Sequence, residues 1–161
     1  MMKELQLQTT VKVYSYEELE PSLAQLVEIA KAKTQDAYCP YSNFHVGAAV
    51  LLADGQIVTG ANQENAAYPS GLCAERTALF AANANYPQTP VIALALACYT
   101  NGHFTKDVAS PCGACRQVML ETEKRFSTPM KVVLYSEAGC YVFDKAIDLL
   151  PMSFAADNLL G

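Results

Sequence analysis

The chain has 161 residues, a formal net charge of −5 and only 17% charged residues. That length suits one domain with a real core, because a chain of ~150 residues buries about 70% of the surface it exposes unfolded. Eleven basic residues scattered among 16 acidic ones argue against a nucleic acid polymer as partner, which requires clustered Lys and Arg to neutralise phosphates. The longest apolar run, Val91 to Tyr99, is about half of the ~18 residues that suggest a membrane span. Met1 to Tyr14 alternates polar and apolar residues and lacks the apolar core of a signal peptide. The expectation is a cytoplasmic protein with a small-molecule partner and no membrane contact. Its surplus of apolar residues over the usual composition points to a subunit interface.

In chain order, the first strong signal is a helix from about Glu17 to Ala37. Leu19, Leu23, Leu26, Val27, Ala30 and Ala37 recur near helical spacing. Val46 to Ala53 is nearly continuously apolar and reads as a strand buried on both faces. Asp54-Gly55 then Gln56 to Ala61 predicts a hairpin. A second helix opens at Ser70 or Gly71 and runs to about Asn83. Val91 to Tyr99 is a central strand, and Asn101 to Ser110 a polar loop. Pro111 introduces a third helix, Cys112 to about Lys124. Met130 to Ser136 and Cys140 to Asp144 are strands around an Ala138-Gly139 turn. A last helical stretch runs from Ala146 to Leu160, broken at Pro151. Helices alternating with strands predict an α/β fold, a mixed β-sheet of about five strands covered by helices on both faces. The domain spans 1–161, with 1–20 an extension to which no role is assigned.

The six cysteines are Cys39, Cys73, Cys98, Cys112, Cys115 and Cys140. Their uneven spacing and the absence of a secretion signal argue against a disulfide framework. Cys112 and Cys115 share one face of a first helical turn, and Cys73 opens the preceding helix. If those two helices lie side by side on one sheet face, three thiolates meet at their N-termini. Three protein ligands plus one open position is the pattern of a catalytic Zn²⁺. The helix N-termini, each worth roughly half a positive charge, offset the thiolates and favour their ionisation. Arg76 could add a full positive charge, and Gln117 could donate hydrogen bonds to sulfur. Glu75, two residues after Cys73, is close enough to exchange protons with metal-bound water. Cys39, Cys98 and Cys140 read as small buried apolar residues.

Cys73-Ala74-Glu75 followed by Pro111-Cys112-Gly113-Ala114-Cys115 is the zinc-deaminase pattern with Cys in place of the commoner His. Tyr38 to Ala49 (YCPYSNFHVGAA), Asn62 to Ala78 (NQENAAYPSGLCAERTA), Ser110 to Gln117 (SPCGACRQ) and Leu149 to Phe154 (LLPMSF) resemble, in that order, the motifs of cytidine deaminases. The similarity covers about Leu26 to Phe154 and is to the small homotetrameric branch with three cysteine ligands. It implies one Zn²⁺ per subunit and hydrolysis of cytidine and 2′-deoxycytidine to the uridine products and ammonia, a step of pyrimidine salvage. Zinc-bound hydroxide would attack carbon 4, with Glu75 moving protons to ring nitrogen 3 and then to the leaving amine. The same resemblance implies that Asn62 and Glu64 bind the ribose and that Phe44 packs on the base. It further implies that backbone groups of Ala74 and Ser110 read the base edge. Tyr68 corresponds to an interface residue beside the site, and Phe154 to an aromatic that reaches a neighbouring subunit's site.

Physical reading of the residues supports a nucleoside less sharply. Asn62 and Glu64 are two apart in an extended segment and so share a direction, which suits a clamp for adjacent hydroxyls. Other readings remain open. The same fold could serve another small cytosine-containing compound, such as an antibiotic nucleoside. The cysteines could form a structural zinc knuckle. Phe44 and Phe154 could be core residues, and Arg76 a helix-surface ion-pair partner.

Overall fold

The computed structural model describes residues 1–160. The alternation of one apolar strand organises the packing. In β2 (His45–Leu52), Ala48, Val50 and Leu52 face one way and Ala49 and Leu51 the other, as the two-residue period of a strand requires. Both faces are covered. On one, α1 (Pro21–Lys33) packs Leu23, Leu26, Val27 and Ala30 against Ala49, Ala93, Ala95, Ala97 and Val133. On the other, α2 (Ala74–Asn85) and α3 (Gly113–Phe126) bury Ala78, Leu79, Ala82, Cys115 and Met119 against Ala48, Val50, Leu94 and Leu96.

Among the described residues the sheet has seven strands rather than about five. The order is β1 (Lys12–Tyr14), β7 (Gly139–Phe143), β6 (Lys131–Ser136), β4 (Val91–Thr100), β2 and β3 (Ile57–Ala61), with β5 (His103–Phe104) pairing β4. The added strands are β1 and β5, of three and two residues. Both are too short to carry a legible alternation. The β4–β6 pair is parallel, and every other pairing is antiparallel. A parallel pair needs a crossover, and α3 supplies it.

The first predicted helix is divided by local chemistry. Proline is tolerated at a helix start but removes an internal hydrogen bond, and α1 begins at Pro21 itself. Tyr16–Glu18 forms a separate 3₁₀ turn, closed by the Ser15 N–H donating to the Glu18 carboxylate at 2.8 Å. At the far end the Thr34 hydroxyl donates to the Lys31 carbonyl at 2.7 Å, and Thr34–Asp36 tightens into a 3₁₀ turn. The predicted last helix is also corrected. It is a 3₁₀ turn at Ala146–Leu149, a bend at Pro151-Met152, and a short α4 (Asp157–Leu160).

The segment before Pro21 is tied to the sheet. Tyr14 and Tyr16 pack on the α1-side core. The Lys31 ammonium lies 4.8, 5.3 and 5.5 Å from the ring centroids of Tyr135, Phe104 and Tyr16, and 2.7 Å from a Glu28 carboxylate oxygen. One cation thus contacts aromatics from three separate parts of the chain.

Two glycines set the helix-to-sheet distance. A Cβ on Gly47 would lie within 3.0 Å of the Ala30 carbonyl of α1, and one on Gly60 within 3.0 Å of the Ala78 N–H and Ala74 carbonyl of α2. Among the described residues, no helix is long and apolar enough to cross a membrane.

Candidate metal and active site

Chain direction brings the chemistry together. α2 leads back into β4, so its N-terminus lies at the C-terminal end of that strand. α3 begins after β4, at the same end. The open ends of strands in sheets of this kind are where ligands bind. Cys73 is the N-cap of α2, Cys112 the N-cap of α3, and Cys115 lies in the first turn of α3.

The three sulfurs lie within 4.8 Å of one another. Cys73 Sγ is 3.9 Å from Cys112 Sγ, and Cys112 Sγ is 3.5 Å from Cys115 Sγ. Tetrahedral zinc with Zn–S bonds of ~2.3 Å requires sulfurs about 3.8 Å apart, so the triad fits Zn²⁺. All six cysteines are free thiols. Cys115 donating to Cys73, with the Arg76 guanidinium beside it, draws the Cys73 thiol down to about 5, and the donor Cys115 is pushed up. Arg76 Nη2 sits 3.5 Å from Cys73 Sγ, as expected of a charge that compensates thiolate.

Glu75 is 4% exposed. Burial raises its pKa, and the Cys73 negative charge adds to the effect. A carboxyl whose pKa is moved up toward neutrality is better matched to taking up a proton and passing it on. Above the triad and Glu75 is a cavity of about 640 Å³. Its lining includes Phe44, Asn62, Glu64, Tyr68, Ser110 and Cys98.

The rim residues are held firmly. The Asn62 amide oxygen accepts from the Val46 N–H at 2.8 Å, and its NH₂ donates to the Phe44 carbonyl at 2.9 Å. Asn62 therefore fixes the backbone that carries Phe44 and retains one N–H for a ligand. One Glu64 carboxylate oxygen accepts from the Tyr41 and Ser42 N–H groups at 2.8 and 3.3 Å. Hydrogen bonds from Ser42 and then Tyr41 hold Glu64 below the ordinary carboxylate range, so it stays ionised.

Other sequence expectations fall differently. The Ala74 side chain is in the core, leaving only its backbone available to a ligand. The Gln117 amide does not reach sulfur; it donates to the Phe154 carbonyl at 2.9 Å. Gln117 is two residues after Cys115, about 200° round the helix, and meets the C-terminal segment instead. Phe154 is 58% exposed and outside the cavity of its own chain. Tyr41, Ser42 and Arg116 received no role from the sequence, although all three lie inside the quoted motifs. Tyr41 and Ser42 act through their own N–H groups and Arg116 donates to main-chain carbonyls, contacts that residue type does not reveal.

Comparison with known proteins agrees with this geometry. A sequence model described as "Cytidine and deoxycytidylate deaminase zinc-binding region" matches residues 21–130. The chain belongs to this deaminase family. A cytidine deaminase of Halalkalibacterium halodurans is 41% identical over 134 residues, covering 83% of this chain and 95% of that protein. The crystal structure of cytidine deaminase from Burkholderia pseudomallei superposes with a TM-score of 0.69 at 44% identity, covering 81% of this chain and 97% of that one. Cytidine deaminase from Mycobacterium tuberculosis gives a TM-score of 0.65 at 32% identity, covering 84% and 99% of the two chains.

The three remaining cysteines behave as buried apolar groups. Burial pushes the Cys98 thiol up to about 12 and the Cys140 thiol to about 11, and raises Cys39 as well. A thiol reagent at pH 8 is expected to leave Cys98 and Cys140 unmodified in the folded, zinc-loaded protein and to modify all six cysteines in denaturant. Peptide mapping checks this, and rapid labelling of native Cys98 would contradict it.

Proposed function

We propose that the chain is a zinc-dependent enzyme that deaminates cytidine and 2′-deoxycytidine to the uridine products and ammonia. The carrying observation is the junction of a zinc-spaced thiol triad and buried Glu75 beneath one cavity, with Asn62 and Glu64 at its rim. Cys73, Cys112 and Cys115 would hold the metal, which when bound supplies Lewis-acid activation of water beside carbon 4. Ionised Glu75 would take one proton from the attacking water and deliver it to ring nitrogen 3, then take the proton of the resulting carbon 4 hydroxyl and pass it to the leaving amine as the carbonyl forms. Arg76 balances the negative charge of the sulfurs.

Phe44 packs on the pyrimidine, while backbone groups of Ala74 and Ser110 read the base edge. Asn62 and Glu64 take the ribose hydroxyls, with Tyr68 beside them. The place of ionised Glu64 on the cavity lining supports this assignment. Glu64→Ala is expected to raise KM for cytidine ~10-fold or more, because a charged hydrogen bond is worth roughly 1.5–3 kcal/mol. An unchanged KM would remove Glu64 from the ribose site.

The active unit is a homotetramer of single-domain chains (residues 1–161). Tyr68 on the cavity lining and Phe154 outside it, 82% and 58% exposed, support burial against neighbours. Phe154 then completes a neighbouring subunit's site. Six free thiols fit a reducing, cytoplasmic compartment. Zinc content, light-scattering mass and the absorbance change on cytidine test the proposal together. Robust turnover of another cytosine compound with none of cytidine would replace it with the same-fold rival, and a monomeric mass would reject the tetramer.

A further inference from the structure

Two consecutive residues of α3 hold opposite ends of the C-terminal bend. Arg116 Nη1 donates to the Leu149 carbonyl at 2.9 Å, and Gln117 Nε2 donates to the Phe154 carbonyl at 2.9 Å. Between these anchors Met152 sits at φ 55°, in the left-handed region that a non-glycine residue enters only at a cost. The bend is therefore enforced from outside rather than chosen by its own backbone. Upstream, the Glu123 carboxylate accepts from the Ala146 and Met130 N–H groups, so α3 holds the segment at a third point.

Arg116 makes one contact more. Its Nε donates to the Pro111 carbonyl at 2.8 Å. That carbonyl belongs to the peptide bond entering Cys112. A single guanidinium thus spans the turn that presents a metal ligand and the bend that carries Phe154. Its Nε and Nη1 are fixed in one plane, which sets the two carbonyls in a defined relation.

We propose that Arg116 is a positioning residue that locks the Cys112 turn to the Phe154-bearing bend, with Gln117 holding the far end of that bend. The proposal rests on the cytidine deaminase reading above. Arg116 touches neither substrate nor metal; it acts through the Pro111 and Leu149 carbonyls. Gln117 acts on Phe154 alone. The two residues therefore have separable effects, whereas simple stabilisation of the C-terminus would make them alike.

The test uses zinc-loaded, full-length wild type, Arg116→Ala, Arg116→Lys and Gln117→Ala. It reads the unfolding midpoint, the rate of zinc transfer to a chromophoric chelator, and kcat and KM for cytidine. Gln117→Ala is expected to raise KM ~5–10-fold, the loss of about one hydrogen bond, with zinc transfer within about twofold of wild type. Arg116→Ala is expected to raise KM similarly and also to speed zinc transfer ~10–100-fold, the usual range for contacts that orient metal ligands. Arg116→Lys, a point donor without the planar fork, is expected to fall nearer Arg116→Ala than wild type in both readouts.

Arg116 variants that lower the midpoint while KM and zinc transfer stay at wild-type values would overturn the proposal. So would Gln117→Ala speeding zinc transfer as much as an Arg116 variant. If Arg116→Ala does not fold, Arg116→Lys against Gln117→Ala makes the same comparison. A wild type inactive on cytidine would reject the functional reading, yet the zinc-transfer comparison would still decide the Arg116 half.

Discussion

Glu75→Gln is expected to yield a folded protein that binds one zinc per chain and turns over cytidine ~10²–10⁴-fold more slowly, the typical worth of a positioned acid–base group. The substitution keeps shape and burial but removes the titrating proton. Glu75 is 4% exposed and its pKa is raised by burial, so an isosteric replacement tests the carboxyl apart from its volume. Gln also leaves all three sulfur ligands in place. Metal analysis and steady-state kinetics on the same preparation check both halves. Wild-type turnover in the variant would refute Glu75 as the proton carrier. Loss of zinc together with activity would instead indicate a role in building the site.

The second large effect concerns backbone contact. Gly60→Ala and Gly47→Ala each place a methyl within 3.0 Å of helix backbone, against α2 and α1 respectively. Backbone atoms cannot swing aside as a flexible side chain can, so the helix must lift from the sheet. Overpacking of a tight core costs roughly 1–3 kcal/mol and occasionally more, and both variants are expected at or above the top of that range. Their consequences for the site differ. α2 carries Glu75 and is capped by Cys73, whereas α1 contributes no metal ligand and does not line the cavity. Gly60→Ala should therefore speed zinc loss at temperatures where the protein is still folded, and Gly47→Ala should not. Urea midpoints and chelator transfer rates measure the two effects separately. A midpoint unchanged in both variants would show that the helices have more room than the structure gives them.

Much of the site was legible because its chemistry depends on residue type and spacing. Cys112 and Cys115 three apart, with Cys73 and Glu75 at the preceding helix start, imply a metal and a proton carrier whatever the exact boundaries. The double-sided burial within Val46 to Ala53 is equally plain up to Leu52, since neither face of β2 is polar, although Ala53 lies beyond the strand and is exposed. Contacts that run through the main chain were hidden. Arg116 and Gln117 gave no sign that they grip carbonyls more than 30 residues onward, and Gln117 was expected at sulfur instead. The short strands β1 and β5 were missed because pairing, not local pattern, creates them. The Glu17 to Ala37 periodicity overruns α1 because Leu19 lies in phase with α1 yet belongs to the turn before Pro21.

β1 occupies the edge of the sheet beside β7. An exposed edge displays unsatisfied N–H and C=O groups that can recruit another chain and seed aggregation. Here the five-residue edge of β7 is covered by three residues bearing Lys12, whose ammonium is 2.6 Å from Asp144. The edge left to solvent is shorter and charged, and the caged Lys31 ammonium helps hold the adjoining Tyr16 turn down. The N-terminal strand thereby shortens the unpaired edge that another chain could extend, a consequence separate from catalysis.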